Sequence, residues 1–280
     1  MMPACILSVK HIEESCKALN LRPSKKMGQN FLVDERVLSD IIVAADLRKN
    51  DTVLEIGPGF GALTSELVKR TAGVVAVELD KKLAKYIKVN KLINKPERLK
   101  IIQGDIIQLL NCSIAELFYG VRYKVVANLP YQITSRVLGL LLAADNKPSQ
   151  IVVMVQREVA DRICATAGKM SVLSVMAQYY STPEIIRFVS RNSSWPIPEV
   201  DSAIIKLKVR KLGSGKVAAK EFFKIVKIGF SSRRKKLKNN LASVFGKDKV
   251  ADVFKALGLE ENIRAQELDV ATWMRLVHGF

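Results

Sequence analysis

The chain has 280 residues, of which 49% are apolar, and its 45 Lys and Arg against 27 Asp and Glu give a formal net charge of +18. This composition is typical of a folded globular chain, with one large core or with a core domain of about 200 residues and a smaller appendage. No run reaches the roughly 18 apolar residues that cross a bilayer, and the charges between Ile6 and Leu19 do not fit a secretory signal. We therefore expect a cytoplasmic protein without a membrane segment.

The excess of basic residues favours a polyanionic partner such as a nucleic acid. Residues 211–280 contain 15 Lys and Arg against 7 Asp and Glu, so we expect the main electrostatic contact in this quarter of the chain. The cysteines and the two histidines have no spacing that is typical of metal ligands. The sequence therefore predicts neither a metal centre nor a disulfide framework.

The elements predicted in chain order alternate between helices and short apolar strands. Asp34 is a plausible N-cap for a helix that runs to about Leu47. Five β-branched runs follow, with helical stretches between them: residues 51–57, 73–79, 99–105, 123–129 and 150–156. This pattern predicts an α/β fold with a parallel sheet covered on both faces, and the runs at 185–190 and 202–210 would complete seven strands.

The character of the chain changes after residue 210. Residues 211–216 (KLGSGK) are typical of a linker, and the pattern beyond them is helical in period, with no strand-like run. The sequence thus predicts two domains, an α/β domain at residues 1–210 and a small α-helical domain at residues 211–280.

A glycine-rich turn follows the first of the five strands. In EIGPGFG, Gly57 and Gly59 permit a tight turn and a close approach to a ligand, before a helix whose N-terminus favours an anion. Glu78 ends the next strand, 21 residues after Gly57, at a spacing that suits hydrogen bonds from ribose hydroxyls. Asp105 ends the third strand and offers a carboxylate for an adenine amino group, or a cap for a helix. These residues predict a nucleoside cofactor, although a purely structural turn remains open.

The fourth strand ends in Asn128-Leu129-Pro130-Tyr131. Asn128 offers a side-chain acceptor, Pro130 stiffens the turn so that nearby carbonyls point into the cleft, and Tyr131 offers a flat face for stacking a base. An exocyclic amine is a poor nucleophile, and two acceptors on its N–H bonds would hold its lone pair toward a methyl group. Positioning and electrostatics would then carry a methyl transfer without a dedicated base.

Together these motifs, and others along the chain, resemble one family. From Val9 to its C-terminus the chain resembles the KsgA family of small-subunit ribosomal RNA adenine N6,N6-dimethyltransferases. The matching segments are residues 28–32 (GQNFL), 55–59 (EIGPG), 77–78 (VE), 104–105 (GD), 128–131 (NLPY), 155–160 (VQREVA), 196–202 (PIPEVDS) and 230–235 (FSSRRK).

The resemblance implies a class I, Rossmann-like methyltransferase sheet with an antiparallel last strand, and a C-terminal helical domain that helps to bind RNA. It implies that S-adenosylmethionine is the cofactor and that the product is dimethyladenosine at two neighbouring adenosines in a hairpin loop near the 3′ end of the small-subunit RNA. The implied cofactor contacts are Asn30, Leu32, Gly57, Gly59, Glu78, Asp105 and Asn128.

The resemblance and the local charge both indicate phosphate contacts from a basic run in the tail. This run lies on a helical pattern with Phe230, Leu237 and Leu241, and its members are Arg233, Arg234, Lys235 and Lys236. The expected partner is small-subunit rRNA or the pre-30S particle, bound by a monomer.

Two segments depart from the family pattern. The loop after Ala165 is shorter than usual and lacks a proline, which puts its contacts in doubt. Ser194 stands where the family has a phenylalanine, and Trp195 follows it directly. The sequence does not say whether Trp195 takes over that aromatic role near the target base.

Three alternative functions stay open at this point. An Erm-like enzyme would perform the same chemistry on large-subunit RNA, although the Asn128–Tyr131 turn and the basic tail favour the small subunit. A binding protein for small-subunit assembly would have no need of the complete cofactor set. A nicotinamide dehydrogenase is disfavoured because the turn has the spacing G-x-G-x-G rather than G-x-G-x-x-G.

Overall fold

The computed structural model describes residues 7–24, 27–89, 95–112, 118, 120–210 and 216–280. Cys5, Lys25, Lys26 and the predicted linker at 211–215 lie outside the described residues. The chain divides into two compact units, the first formed by Met1–Ala160 and Pro183–Val209 and the second by Asp161–Thr182 and Arg210–Phe280.

The strands form a seven-stranded sheet and a separate two-stranded ladder. The large sheet has the order β4-β3-β2-β5-β6-β9-β7, in which β4 to β6 are parallel and β9 is antiparallel to β6. This confirms the predicted seven strands and the antiparallel last strand. The strands are β1 Phe31–Leu32, β2 Thr52–Ile56, β3 Gly73–Glu78, β4 Leu99–Gln103, β5 Tyr123–Asn128, β6 Gln150–Gln156, β7 Ser181–Val189, β8 Ser194–Trp195 and β9 Ser202–Val209.

Helices connect the strands of the first unit and form most of the second. Asp34 caps the second helix as predicted, because its side chain accepts from the N–H groups of Arg36 and Val37. The helices are α1 Val9–Ala18, α2 Glu35–Ala45, α3 Ala62–Arg70, α4 Lys81–Val89, α5 Ile106–Cys112, α6 Thr134–Ala143, α7 Arg157–Ile163, α8 Val172–Tyr180, α9 Lys216–Gly229, α10 Leu237–Phe245, α11 Lys247–Leu257 and α12 Val270–His278. None of the helices in the described ranges is both long and apolar enough to cross a membrane.

The core of the first unit lies between the sheet and its helices. Val53, Val74, Val126, Val152 and Ile204 come from five different strands and are almost completely buried in one cluster. Strands that are buried in this way read as continuous apolar runs, which is why the sequence predicted them to within one or two residues.

Two strand features differ from the prediction. β7 begins at Ser181 rather than at residue 185, and it includes Pro183 and Glu184. Because β7 is the last strand of the sheet, its outer side needs no partner and tolerates a proline. β1 and β8 form an antiparallel ladder that was not predicted, with Phe31 opposite Trp195. Each strand has only two residues, which is too short to show the alternating pattern of a strand in the sequence.

The division between the units also differs from the predicted single boundary at residue 210. Residues 161–182 belong to the helical unit, since Met170 and Val175 are buried in the same cluster as Trp273. The backbone N–H groups of Gly168 and Met170 both donate to the carbonyl of Gln266. The shortened loop after Ala165 is thus part of the second unit.

Gly229, the last residue of α9, offers a test of packing in this core. A Cβ atom there would lie 2.3 Å from Cη2 of Trp273 and 2.9 Å from Cδ1 of Leu237. We predict that Gly229→Ala lowers the free energy of unfolding by about 1–3 kcal/mol through overpacking, although alanine favours helix. Denaturant unfolding measures this change. The loss should shrink in a Trp273→Phe background, where the nearest clashing atom is gone, and a variant at least as stable as wild type would contradict the packing.

Candidate active site

A cleft opens where the parallel strands of the first unit end. It is lined by the ends of β2, β3, β4 and β5 and by the segment that leads into β1. Carboxyl ends of parallel strands are the usual site of ligand binding in such sheets. Every residue that was predicted to contact the cofactor lines this one cleft: Asn30, Leu32, Gly57, Gly59, Glu78, Asp105 and Asn128.

The glycine turn forms the floor of the cleft between β2 and α3. Gly57, Gly59 and Gly61 all have positive φ angles, which side chains rarely adopt. A Cβ atom at Gly59 would lie 3.0 Å from Cδ1 of Phe31. The φ angles at all three positions, and the nearby Phe31 ring at Gly59, favour glycine, so the turn exposes its backbone to the cleft.

Glu78 is almost completely buried at the end of β3. One carboxylate oxygen, Oε2, accepts from the N–H of Gly59 at 3.2 Å, and Oε1 accepts from the N–H of Asp80 at 2.9 Å. Burial raises the pKa of Glu78, and the two backbone N–H groups oppose that rise. The carboxylate thus braces the glycine turn, and each oxygen keeps a second lone pair for hydroxyl donors in the cleft.

Asp105 caps a helix, which is one of the two roles that the sequence left open, and its contact with an adenine amino group stays a prediction. Its Oδ1 accepts from the N–H of Ile107 at 2.8 Å and so caps α5. The residue also lines the cleft. Capping fixes the carboxyl group and leaves its second oxygen for a ligand.

The orientation of the Asn128 amide follows from one contact. Its Nδ2 donates to the backbone carbonyl of Asn30 at 3.1 Å, and a carbonyl can only accept. The amide oxygen Oδ1 therefore remains as the acceptor, on a residue that lines the cleft. This contact also joins the end of β5 to the segment that precedes β1.

The three residues after Asn128 have different surroundings. The side chain of Leu129 is 1% exposed, so only its backbone can act on a substrate. Pro130 lines the cleft, but its carbonyl accepts from the N–H of Ile133 and from the Thr134 hydroxyl, both at 3.2 Å. The prediction that carbonyls near Pro130 point into the cleft therefore fails for Pro130 itself, because the turn continues into a 3-10 helix at Tyr131–Ile133.

Tyr131 is not one of the residues that line the cleft. Its hydroxyl hydrogen-bonds Oγ of Ser202 at 2.7 Å, which anchors the half-buried ring to the start of β9. Burial raises the pKa of Tyr131; the Ser202 hydroxyl lowers it and the nearby Asp201 charge adds to the rise. The phenol is therefore neutral at physiological pH and serves as an anchored ring.

Sequence reasoning gave no role to several residues at the cleft. Gly28 lies against the Asn128–Tyr131 turn, since a Cβ atom there would meet Oε1 of Gln132 at 2.3 Å and Cβ of Pro130 at 3.1 Å. Phe31 and Phe60 pack edge to face, with ring centroids 4.6 Å apart. Glu55, within the glycine motif, is 1% exposed and also lines the cleft. A carboxylate inside an otherwise apolar strand was the available signal for Glu55.

Ser194 and Trp195 lie beside the cleft rather than on its lining. They form β8, which pairs with β1, and Ser194 is 4% exposed. Trp195 packs against the cluster that includes Ile12, Phe31 and Phe60. In this structure Trp195 therefore supports the wall of the cleft.

The basic run of the tail is an exposed turn, not a helix as its pattern suggested. Residues 231–236 connect α9 to α10, and the side chains from Arg233 to Lys236 are exposed. Asn240, 4% exposed, donates to the carbonyls of Gly229 at 2.7 Å and Ser232 at 3.1 Å. This amide thus satisfies one carbonyl at the end of α9 and one within the turn, and the two contacts hold in place the turn that carries the cations.

The strand order, the glycine turn and the cleft at the strand ends define a class I, Rossmann-like methyltransferase. Two solved structures resemble the whole chain. A 23S rRNA methyltransferase, ErmE, is 26% identical with a TM-score of 0.72, over 89% of this chain and 99% of that one. A dimethyladenosine transferase from Plasmodium falciparum is 25% identical with a TM-score of 0.76, over 88% of this chain and 95% of that one.

Residues 20–280 match the family model described as ribosomal RNA adenine dimethylase. Two curated relatives carry the name ribosomal RNA small subunit methyltransferase A. The protein from Dehalococcoides mccartyi is 41% identical over 94% of this chain and 90% of its own length, and that from Crocosphaera subtropica is 38% identical over 92% and 98%. The chain belongs to the ribosomal RNA adenine dimethylase family, which confirms the resemblance inferred from its motifs.

Proposed function

We propose that the chain transfers methyl groups from S-adenosylmethionine to N6 of two adjacent adenosines, in a hairpin loop near the 3′ end of small-subunit rRNA. The observation that carries this proposal is the fixed Asn128 amide, whose acceptor oxygen belongs to the same cleft as Glu78 and Asp105. The curated relatives named for the small subunit support the choice of RNA.

The chemistry of the cleft fits this cofactor. Glu78 is suited to accept from ribose hydroxyls and Asp105 from an adenine amino group, while the backbone at Gly57 and Gly59 approaches the rest of the molecule. Asn30 and Leu32, at the segment that leads into β1 and in β1 itself, complete the lining of the cleft. When bound, S-adenosylmethionine would supply an electrophilic methyl group on a positively charged sulfur.

The target adenine would be held by acceptors on its amino group. One N–H would donate to Oδ1 of Asn128 and the other to the backbone carbonyl of Leu129, which turns the nitrogen lone pair toward the methyl group. Pro130 limits the motion of the turn, and the ring of Tyr131, anchored on Ser202, offers a face for the base. The nitrogen becomes acidic only as it is methylated, so positioning replaces a dedicated base.

The exposed turn at Arg233–Lys236 is our proposed phosphate contact. Four cations on a turn that Asn240 holds in place would bind an RNA backbone without reading its bases. We propose small-subunit rRNA or the pre-30S particle as the substrate of a monomeric enzyme. Such a substrate implies a cytoplasmic location.

An Erm-like activity on large-subunit RNA is the second candidate, because the ErmE structure matches 89% of this chain. Methylating purified small-subunit and large-subunit RNA in parallel separates the two. We predict dimethyladenosine in the small-subunit RNA, and a loss of at least about 10²-fold in single-turnover rate for Asn128→Ala at saturating cofactor. RNA binding by that variant should hardly change. Methylation of the large-subunit RNA alone, or a near-normal rate for Asn128→Ala, would contradict the assignment.

Glu78 gives a prediction for cofactor binding. Glu78→Ala removes a carboxylate acceptor and should weaken S-adenosylmethionine binding by about 1.5–3 kcal/mol, the usual loss for hydrogen bonds to a charged group. Glu78→Gln serves as the matched control, since it keeps one acceptor oxygen and should lose less. Calorimetry measures the affinities, and thermal unfolding verifies that both variants fold. Unchanged affinity in a folded Glu78→Ala protein would remove Glu78 from the cofactor site.

The basic turn gives a prediction for RNA binding. If the four cations meet phosphates, replacing Arg233, Arg234, Lys235 and Lys236 by Gln should reduce the slope of log affinity against log salt by about one unit for each phosphate that is no longer neutralised. Cofactor affinity should stay as in wild type. The control replaces four other exposed lysines of the same unit by Gln, namely Lys220, Lys224, Lys247 and Lys255. Equal slopes for the two variants would mean that the turn contributes only general charge.

A further inference from the structure

The cleft has an unusual charge for so basic a chain. Three carboxylates line it, those of Glu55, Glu78 and Asp105, and among the described residues no Lys, Arg or His does so. The whole chain has a formal net charge of +18. The local excess of negative charge therefore suits a cationic ligand.

Glu55 is the carboxylate whose surroundings the fold does not explain. It lies on β2 directly before the glycine turn and is 1% exposed. Its Oε2 is buried without a hydrogen-bond partner among the described residues, and the same is true of the Thr64 hydroxyl on α3. Buried polar atoms are nearly always paired, and an unpaired buried carboxylate is strongly disfavoured as an ion.

Within the described part of the chain, the groups that face Glu55 offer no positive charge to hold it ionised. Glu78 on β3 is the ionisable neighbour whose charge acts on it. From α3 it meets Thr64, while Glu66 on that helix pairs with Lys69 and Arg70 at the surface. The segment 27–32 contributes no ionisable side chain, and Asp105 after β4 adds a further negative charge to the cleft.

We propose that Glu55 carries a proton in the empty cleft and loses it when the cationic methyl donor binds, so that the cleft distinguishes the charged donor from its neutral demethylated product. This inference rests on the proposed function, which makes S-adenosylmethionine the donor. The donor bears a positive sulfur, and the product left after transfer, S-adenosylhomocysteine, has an uncharged thioether. The amino group is common to both ligands, so the positive sulfur is the counter-charge that an ionised Glu55 would meet in the donor complex and not in the product complex.

The pKa of Glu55 is close enough to physiological pH for donor binding to change its protonation. Burial raises the pKa of Glu55 to about 8, and the negative charge of Glu78 adds to this rise. The nearby Thr64 hydroxyl lowers the pKa, although it does not form a hydrogen bond of ordinary geometry with Glu55. A positive charge within a few ångströms lowers the pKa of a carboxyl group by about 1–3 units. Binding of the donor at pH 7.5 should therefore release roughly 0.5–0.8 proton from Glu55.

Calorimetry in two buffers with different ionisation enthalpies measures the protons released. Wild type should release about 0.5–0.8 proton more with S-adenosylmethionine than with S-adenosylhomocysteine. The amino groups of the ligands can also exchange protons on binding, and the positive sulfur makes the donor's amino group the more acidic of the two, so Glu55→Gln is the essential control. In this isosteric variant the difference between the two ligands should fall by the roughly 0.5–0.8 proton assigned to Glu55. Glu66→Gln, at a surface carboxylate on α3 that does not line the cleft, is the matched control and should retain the difference.

A second measurement needs no variant and so does not depend on the folding of Glu55→Gln. The ratio of donor affinity to product affinity in wild type should rise roughly 4- to 15-fold from pH 6.5 to 8, rise about twofold more and level off above about pH 9, because an ionised Glu55 favours the donor. A constant ratio, or equal proton release in wild type and Glu55→Gln, would overturn the inference. Failure of the donor to bind wild type at all would instead overturn the proposed function.

Discussion

The backbone turn at Gly57–Gly61 is the constraint on which the cleft depends. Its glycines have positive φ angles, and Phe31 leaves no room for a side chain at Gly59. The turn is tied to the neighbouring strand by two hydrogen bonds, from the N–H of Gly57 to the carbonyl of Val77 at 2.9 Å and from the N–H of Gly59 to Glu78 at 3.2 Å. Glu78 is also the proposed ribose contact. The hydrogen bond between the Gly59 N–H and the Glu78 carboxylate therefore positions both the glycine turn and the residue that is proposed to bind the cofactor.

The segment before β1 completes the site from outside the sheet. Asn30 receives the Asn128 amide, and Gly28 admits the Pro130 ring and the Gln132 side chain at close range. These contacts join residues about one hundred positions apart in sequence. Because the amide nitrogen donates to Asn30, the amide oxygen remains as an acceptor in a fixed orientation, which is the electrostatic preorganisation that an amino-group substrate needs.

Much of the fold and of the candidate site could be predicted from the sequence, because both depend on local pattern. The apolar runs gave the five central strands, and the residues at the carboxyl ends of those strands gave Glu78, Asp105 and Asn128. Features set by distant contacts could not be predicted in this way. The exposed turn at Arg233–Lys236 is held by Asn240, which donates to the carbonyls of Gly229 at the end of α9 and of Ser232 in the turn. Residues 161–182 join the helical unit because Met170 and Val175 are buried in the same cluster as Trp273.

The distribution of charge separates the two substrates that this family requires. In the proposed function, an RNA backbone would be attracted by the exposed cations of the second unit and repelled by the carboxylates of the cleft. If Glu55 ionises when the donor binds, the new carboxylate balances the positive sulfur, and the net charge of the cleft stays as it was in the empty state. Charges out of water interact at a lower effective dielectric constant, so this pairing is stronger at the buried Glu55 than it would be at the surface. The donor would therefore be held by a buried ion pair without adding net charge to the cleft, whereas the product would leave Glu55 protonated and without such a partner.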